Sequence, residues 1–120
     1  MGMIVHARVY LQDKYKQSEW QMKMNMDICE AIRTRAILRF NYKGLPRIVM
    51  PHAHGISERG NEVLRGFQIG GESESGKMFF GKLWMVAEMK KLEETGETFG
   101  DPGPGYNPDD KGMREVHCHL

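Results

Sequence analysis

Basic and aromatic side chains are concentrated in one short stretch, LRFNYKGLPRIVMPHAHG, which runs from Leu38 to Gly55. Its strand–turn–strand pattern carries groups that suit an anion, because a guanidinium offers phosphate a planar fork of donors and an aromatic face can stack on a base. Four candidate contact residues lie in this stretch and a fifth, Arg65, lies farther along the chain. The five are Arg39, Tyr42, Arg47, His52 and Arg65. Alternate residues of a strand share a face, so adjacent strands can gather such side chains into one basic groove. The alternative is that these are ordinary solvent-facing residues.

Alternating histidines suggest a second chemistry. The segments HAH (52–54) and HCH (117–119) each place two imidazoles on one side of a strand, an arrangement that zinc accepts. The candidate metal ligands are His52, His54, His117 and His119. An HxH pair has low specificity, however, and His52 beside a proline also suits a hydrogen-bonding or ligand-contact role. We therefore expect no metal site.

The sequence contains no motif that is typical of an enzyme. No serine or cysteine lies in a nucleophile motif, and GGESESG (70–76) lacks the strand–GxxxxGK[ST]–helix context of a P-loop. The two cysteines, Cys29 and Cys118, form no CxxC pair, and we expect them to be reduced thiols. We expect a protein that is not an enzyme and that has no cofactor.

Length and charge limit the remaining classes. The chain has 120 residues, which favours one domain, and its net charge of +1 excludes a general polycation. Binding to nucleic acid must therefore depend on where the basic residues lie. No apolar run approaches the ~20 residues that span a bilayer, and the N-terminus lacks the apolar region of a secretory signal. We expect a cytoplasmic protein with no membrane partner.

The first 24 residues form a separate region of the sequence. Residues 4–11 alternate like a strand, and a polar stretch around Trp20 follows. Residues 1–24 are therefore an added strand, a short helix or an arm, and an exposed Trp20 suits an oligomer contact. The folded domain is predicted at residues 25–120.

The domain is predicted to contain one helix and about five strands. Apolar residues at i, i+3 and i+4 (Ile28, Ala31, Ile32) give residues 27–36 one buried helical face. The period then changes to two, with predicted strands at 38–43, 47–56, 62–69, 78–93 (which Gly81 can split) and 113–120. Pro51 indicates an edge, a bulge or a bend, and Gly66 a barrel corner or a close backbone approach. The pattern predicts a mainly β (α+β) fold, a small and strongly bent antiparallel barrel with the helix across one opening.

Four segments in this order resemble the WYL domain. They are AIRTRAILRFNYKGLPRIVMPHAHG, VLRGFQIGG, GKLWMVAEMKKLEETGETF and PGYNPDDKGMREVHCHL, and the resemblance extends over residues 27–120. More closely, the chain looks like the short stand-alone bacterial proteins of that family. The resemblance implies a barrel of Sm-like or Src-homology-3-like type that senses a nucleotide or a nucleic-acid end through a basic groove, as in transcription regulators and phage-defence systems.

The resemblance also assigns positions. Tyr42 matches the family's aromatic position, Arg47 the basic residue that opens the second strand, and Pro51-His52 the proline-centred motif. Arg65 and Gln68 fall where the groove is lined. The chain departs from the family in two ways: the Trp-Tyr-Leu triplet is here EVL (62–64), and the fourth strand lacks the arginine of the regulators.

These observations predict a non-enzymatic, ligand-sensing or nucleic-acid-binding domain in bacterial transcription regulation or phage defence. The expected ligand is a nucleotide or single-stranded nucleic acid, and a protein partner in the same system is a further expectation. The alternative is a structural module that forms a homodimer through residues 1–24 and binds no ligand.

Overall fold

The computed structural model describes residues 27–73 and 81–120. The predictions for residues 1–24, and for the beginning of the strand at 78–93, lie outside this part of the chain. The elements are α1 (27–34), β1 (Ala36–Tyr42), β2 (Leu45–Ser57), β3 (Glu62–Gly71), β4 (Gly81–Met85), a 3-10 helix (Val86–Glu88), β5 (Lys90–Thr98) and β6 (Met113–His119).

Helix α1 ends at residue 34, two residues before the predicted end. Arg35 takes a φ of 58°, a left-handed conformation that costs an L-residue about 1–2 kcal/mol and cannot continue a right-handed helix. Contacts on both sides hold it there, since its N–H donates to the Ile32 carbonyl and its own carbonyl accepts from Phe99 at 3.0 Å. The predicted apolar face is confirmed, because Ile28 and Ala31 are fully buried.

All six strands belong to one antiparallel sheet. Five follow the order β4-β3-β2-β1-β5, and β6 pairs with β2. The mainly β class with one helix is confirmed, and residues 27–73 and 81–120 contain six strands instead of about five. Within the described residues β4 and β5 do not pair with each other, so the sheet is open and the predicted barrel is not confirmed. Edge strand β5 carries the sequence KKLEETGET, and such charges disfavour pairing with a second sheet.

Strand β2 is the longest, with 13 residues, and it changes partners along its length. Its first part pairs with β1 and its last part with β6, while β3 lies along its other side. The register with β3 shifts between Pro51 and Ala53. Because proline has no N–H to donate, a sheet accepts it at such an irregularity. The predicted irregularity at Pro51 is therefore confirmed as a bulge.

The described part of the predicted strand at 78–93 is divided, and the predicted division at Gly81 lies at the edge of the undescribed residues 74–80 and is not tested. The described part breaks at the 3-10 helix, whose Val86 is buried in the core. The strand predicted to end at residue 93 is longer than expected, because β5 continues to Thr98 by pairing with β1. Residues 94–98 of β5 contain only glutamate, threonine and glycine, a composition typical of a turn. They are extended because they pair with the neighbouring strand.

The main core lies between α1 and one face of the sheet. Trp84 is fully buried at its centre, with Phe40 and Tyr42 packed edge-on at centroid distances of 5.2 and 4.9 Å. Gly66 lies beneath this cluster, and a Cβ there would come within 2.5 Å of Val49 Cγ1. The predicted close approach at Gly66 is confirmed.

Candidate functional site

The register of the β1–β2 hairpin separates two of the candidate arginines. Arg47 lies opposite Phe40. Because neighbours along a strand alternate, Arg39 points to the other face of the sheet from Arg47. Nε of Arg39 donates to Oε2 of Glu93 at 2.9 Å, and the Arg39 side chain is 47% exposed. Arg39 is therefore a surface ion-pair residue, and the predicted groove that contains both arginines is not formed.

Arg47 is buried, with no exposed surface. Its Nη2 donates to the Tyr42 carbonyl oxygen at 3.0 Å, and its Nη1 donates to Oε1 of Gln68 at 3.4 Å. The amide nitrogen of Gln68 donates in turn to the carbonyl oxygens of Gly70 and Glu72. The structure thus brings together Tyr42, Arg47 and Gln68 from three adjacent strands.

Two lysines approach the same rings. Nζ of Lys82 lies 4.3 Å from the Trp84 ring centroid and 5.6 Å from that of Tyr42. Nζ of Lys43 lies 6.0 Å from the Tyr42 centroid, and the Arg47 guanidinium carbon lies 5.7 Å from it. Three cations therefore surround one aromatic ring, and both lysines are exposed. We call Tyr42, Lys43, Arg47, Lys82 and Trp84 the basic cluster.

The predicted contact residues did not include three members of this cluster, namely Lys43, Lys82 and Trp84. In an extended strand, Lys82 and Trp84 are two residues apart and share a face, so their spacing was a usable signal. The partner of Lys82 across the β3–β4 pair is Gly66. Since glycine has no side chain, the lysine stem can lie across the indole.

Arg65 lies on the opposite face of β3 and anchors the connection between β5 and β6. Its Nε and Nη2 donate to both carboxylate oxygens of Asp110 at 2.7 and 2.8 Å, and its Nη1 donates to the Gly81 carbonyl. The hydrogen bonds from Arg65 lower the pKa of the Asp110 carboxyl. A hollow of about 380 Å³ lies beside this pair. Arg65 uses its donors inside the protein, away from the basic cluster.

His52 is also occupied by internal contacts. Nδ1 lies 2.9 Å from the Met50 carbonyl oxygen, which can only accept, so Nδ1 carries the proton. Nε2 then accepts from the Gly103 N–H at 2.8 Å. The ring stacks on Phe99 and meets Tyr106 edge-on, and burial lowers its pKa. The neutral His52 ring, together with the Phe99 and Tyr106 rings that pack on it, holds the connection between β5 and β6 in place.

A methyl group added at Gly103 is expected to lower the free energy of unfolding by about 1–3 kcal/mol. In Gly103→Ala the new Cβ would lie 2.3 Å from Cδ2 of the buried Phe67 ring. Gly100→Ala, in the same connection, is the control, because no atom lies within 4 Å of its added Cβ. Chemical denaturation followed by far-UV circular dichroism measures both. Equal stability of the two variants would contradict the close packing at Gly103.

The four candidate histidines do not form one metal site. The bulge in β2 turns His52 away from His54, whose Nε2 lies 2.7 Å from Oε2 of Glu62. Burial lowers the pKa of His54. The ring of His117 lies 5.2 Å from that of His54, while His119 bonds a backbone carbonyl oxygen. The predicted shared orientation of 52 and 54 is therefore wrong.

The two cysteines are joined, contrary to the prediction of reduced thiols. Cys29 in α1 and Cys118 in β6 form a disulfide, with their Cα atoms 5.7 Å apart. The β2–β6 register places Cys118 beside His54, and α1 packs over this part of the sheet. The disulfide thus ties the helix to the last strand, a contact between residues that are 89 positions apart.

Comparison of the chain with protein-family models, curated proteins and solved structures finds no match. The resemblance to the WYL domain therefore stays a prediction. Within residues 27–73 and 81–120, no helix has the length and apolar character needed to cross a membrane.

Proposed function

We propose that this protein is a non-enzymatic, WYL-like small-barrel domain that binds a nucleotide or a single-stranded nucleic-acid segment at the basic cluster. Its setting would be bacterial transcription regulation or phage defence in the cytoplasm. The observation that supports the proposal is the convergence of three cations on the Tyr42 ring. Ammonium and guanidinium groups form charge-assisted hydrogen bonds with phosphate oxygens, so cations gathered at one ring suit an anionic ligand.

Within the basic cluster, the buried arginine and the two exposed lysines have different roles in binding an anion. Buried Arg47 is fixed by hydrogen bonds and supplies a positive potential from inside the sheet. Lys43 and Lys82 are exposed and place ammonium groups at the surface. The Tyr42 and Trp84 rings are 4% and 0% exposed, so stacking on bases does not contribute. We therefore expect recognition of phosphate with little preference for base.

The binding test replaces the two exposed lysines. Lys43→Asn removes one charge and suits the left-handed backbone at this turn, where φ is 52°. Combined with Lys82→Gln, it should weaken binding of a short single-stranded DNA about a hundredfold or more, since each of the two charged hydrogen bonds contributes about 1.5 kcal/mol or more. The slope of log affinity against log salt should also fall in magnitude by about 1.4, or about 0.7 for each lost contact.

A matched control removes two positive charges from another surface. Arg39→Gln with Lys90→Gln keeps the basic cluster intact and changes the net charge equally. Binding should stay within about twofold of the unchanged chain. An equal loss in both variants, or no binding of nucleotides, DNA or RNA at low salt, would overturn the proposal.

The alternative proposal is a homodimeric structural module. Of the described large apolar side chains, Val116 alone is notably exposed, at 39%. The described surface therefore offers little area for a dimer, and this alternative depends on residues 1–24. Light scattering of the chain with and without these residues tests it, since a dimer formed by this region becomes a monomer when it is deleted.

A further inference from the structure

A group of metal-binding side chains lies away from the basic cluster, at the contact of α1 with β2 and β6. The ligand atoms of Cys29, His54 and Cys118 all lie within 4.8 Å of one another. A hollow of about 560 Å³ opens above them and is lined by both cysteines, His117 and residues of α1. His54 is fully buried beneath the disulfide, and the cysteines are partly exposed to the hollow.

The hydrogen bonding of His54 directs one lone pair at the sulfur atoms. Nε2 lies 2.7 Å from a carboxylate oxygen of Glu62, and an ionised carboxylate only accepts, so Nε2 carries the proton. Nδ1 is then an acceptor, and its contact among the described residues is Cys29 Sγ at 3.6 Å. A disulfide sulfur has no hydrogen to donate. Within the described part of the chain, the oxidised state thus leaves this buried lone pair without a donor.

We propose that reduction of the Cys29–Cys118 disulfide creates a zinc site whose protein ligands are Cys29, His54 and Cys118. The arrangement has the parts that zinc uses in proteins: two thiolates and a neutral imidazole. Glu62 holds the imidazole from behind, as a carboxylate does for many metal-bound histidines. The metal replaces the missing donor at Nδ1 of His54.

The distances fit this assignment. Tetrahedral zinc with bonds of about 2.3 Å to sulfur and 2.0–2.1 Å to nitrogen holds those two ligand atoms about 3.6 Å apart. Nδ1 of His54 and Sγ of Cys29 already have this separation. The sulfur atoms must move apart when their bond breaks, and the hollow above them gives room.

The fourth coordination position faces the hollow. The register of β2 with β6 shifts between His54 and Gly55, so that His117 lies in a bulge of β6. A bulge redirects a side chain, and the His117 ring lies 5.2 Å from that of His54. His117 or a water molecule completes the coordination.

The reaction balances with a phosphine as reductant. One phosphine and one water reduce the disulfide to two thiols, and the phosphine becomes its oxide. Zn²⁺ then displaces one proton from each thiol and forms two Zn–S bonds. Hydrogen peroxide, with two protons from the solvent, takes two electrons from the thiolates, which re-forms the disulfide, releases Zn²⁺ and yields two water molecules. Metal binding and the disulfide therefore exclude each other.

The test uses the full chain and Co²⁺ as a spectroscopic substitute for zinc. After phosphine reduction, one equivalent of Co²⁺ should give thiolate-to-cobalt charge-transfer absorption and the visible bands of a tetrahedral site, and Zn²⁺ should remove both. The chain contains two cysteines, so a thiolate signal with cobalt identifies Cys29 and Cys118. The oxidised chain should give no such signal.

Two variants separate ligands from neighbours. Glu62→Gln should weaken zinc binding about 10–100-fold, as expected for loss of the carboxylate behind a ligating histidine. His119 lines the same hollow but is not one of the proposed ligands. His119→Asn should therefore bind zinc as the unchanged chain does. A reduced chain without cobalt–thiolate absorption, or Glu62→Gln with undiminished zinc affinity, would overturn the proposal.

Discussion

Reduction of the Cys29–Cys118 disulfide in buffer with a metal chelator should lower the free energy of unfolding by about 2–5 kcal/mol. The bond joins residues 89 positions apart, and closing a loop of that length removes about 4.6 kcal/mol of entropy from the unfolded chain in the loop-closure model. The bond also ties α1, which covers the core, to β6. Chemical denaturation of the oxidised and phosphine-reduced chain, followed by far-UV circular dichroism, measures the difference.

The double variant Cys29→Ser, Cys118→Ser is the control for this measurement. It should unfold at nearly the same denaturant concentration as the reduced chain, and the phosphine should not change it. Zinc should restore stability to the reduced chain but not to the variant, because a ligand that binds only the folded state stabilises it. Coincident transitions of the oxidised and reduced chain would contradict the contribution of the disulfide.

Local patterns predicted the elements that neighbouring residues determine. The buried face of α1 and the β1–β2 hairpin follow from periods that span only a few residues. β5 was missed beyond residue 93 because its extended form depends on pairing with β1, more than 50 positions earlier. The disulfide depends in the same way on a distant contact, because nothing in the sequence around Cys29 or Cys118 indicates that the two lie close together.

The candidate site was predicted only in part, because some of its contacts also depend on residues that are far apart in the chain. Tyr42, Arg47 and Gln68 come together because β1, β2 and β3 are sequential neighbours in the sheet. Once Lys43-Gly44 is taken as a two-residue turn, the hairpin register follows and places Arg39 on the other face. The prediction used the composition of the hairpin but not this register. The internal roles of Arg65 and His52 depend on the β5–β6 connection, whose path no local pattern determines.

Replacing Trp84 by alanine should lower the free energy of unfolding by about 3–5 kcal/mol. The side chain is fully buried and packs edge-on against Phe40 and Tyr42, and its Nε1 donates to the Gly66 carbonyl oxygen at 3.2 Å. Alanine leaves a cavity and removes this hydrogen bond. Far-UV circular dichroism follows the unfolding, because the substitution removes one of the two tryptophans that fluorescence would report.

Two further variants keep this prediction testable if the alanine variant does not fold. Val116→Ala changes an exposed side chain and should alter stability by at most about 0.5 kcal/mol. Trp84→Phe keeps an aromatic face but loses the indole N–H, so its stability should fall between those of the unchanged chain and the alanine variant. A phenylalanine variant as stable as Val116→Ala would show that the bond to Gly66 and the indole packing contribute little.

The same residue connects the stability of the core to the basic cluster. Lys82 lies over the indole, and an exposed cation–π contact contributes about 0.5–1 kcal/mol, most strongly with tryptophan. In a double-mutant cycle, Lys82→Gln should therefore cost more stability in the Trp84 background than in the Trp84→Phe background. A coupling energy of zero would mean that the ring does not position the lysine, and the lysine would then reach an anion without support from the core.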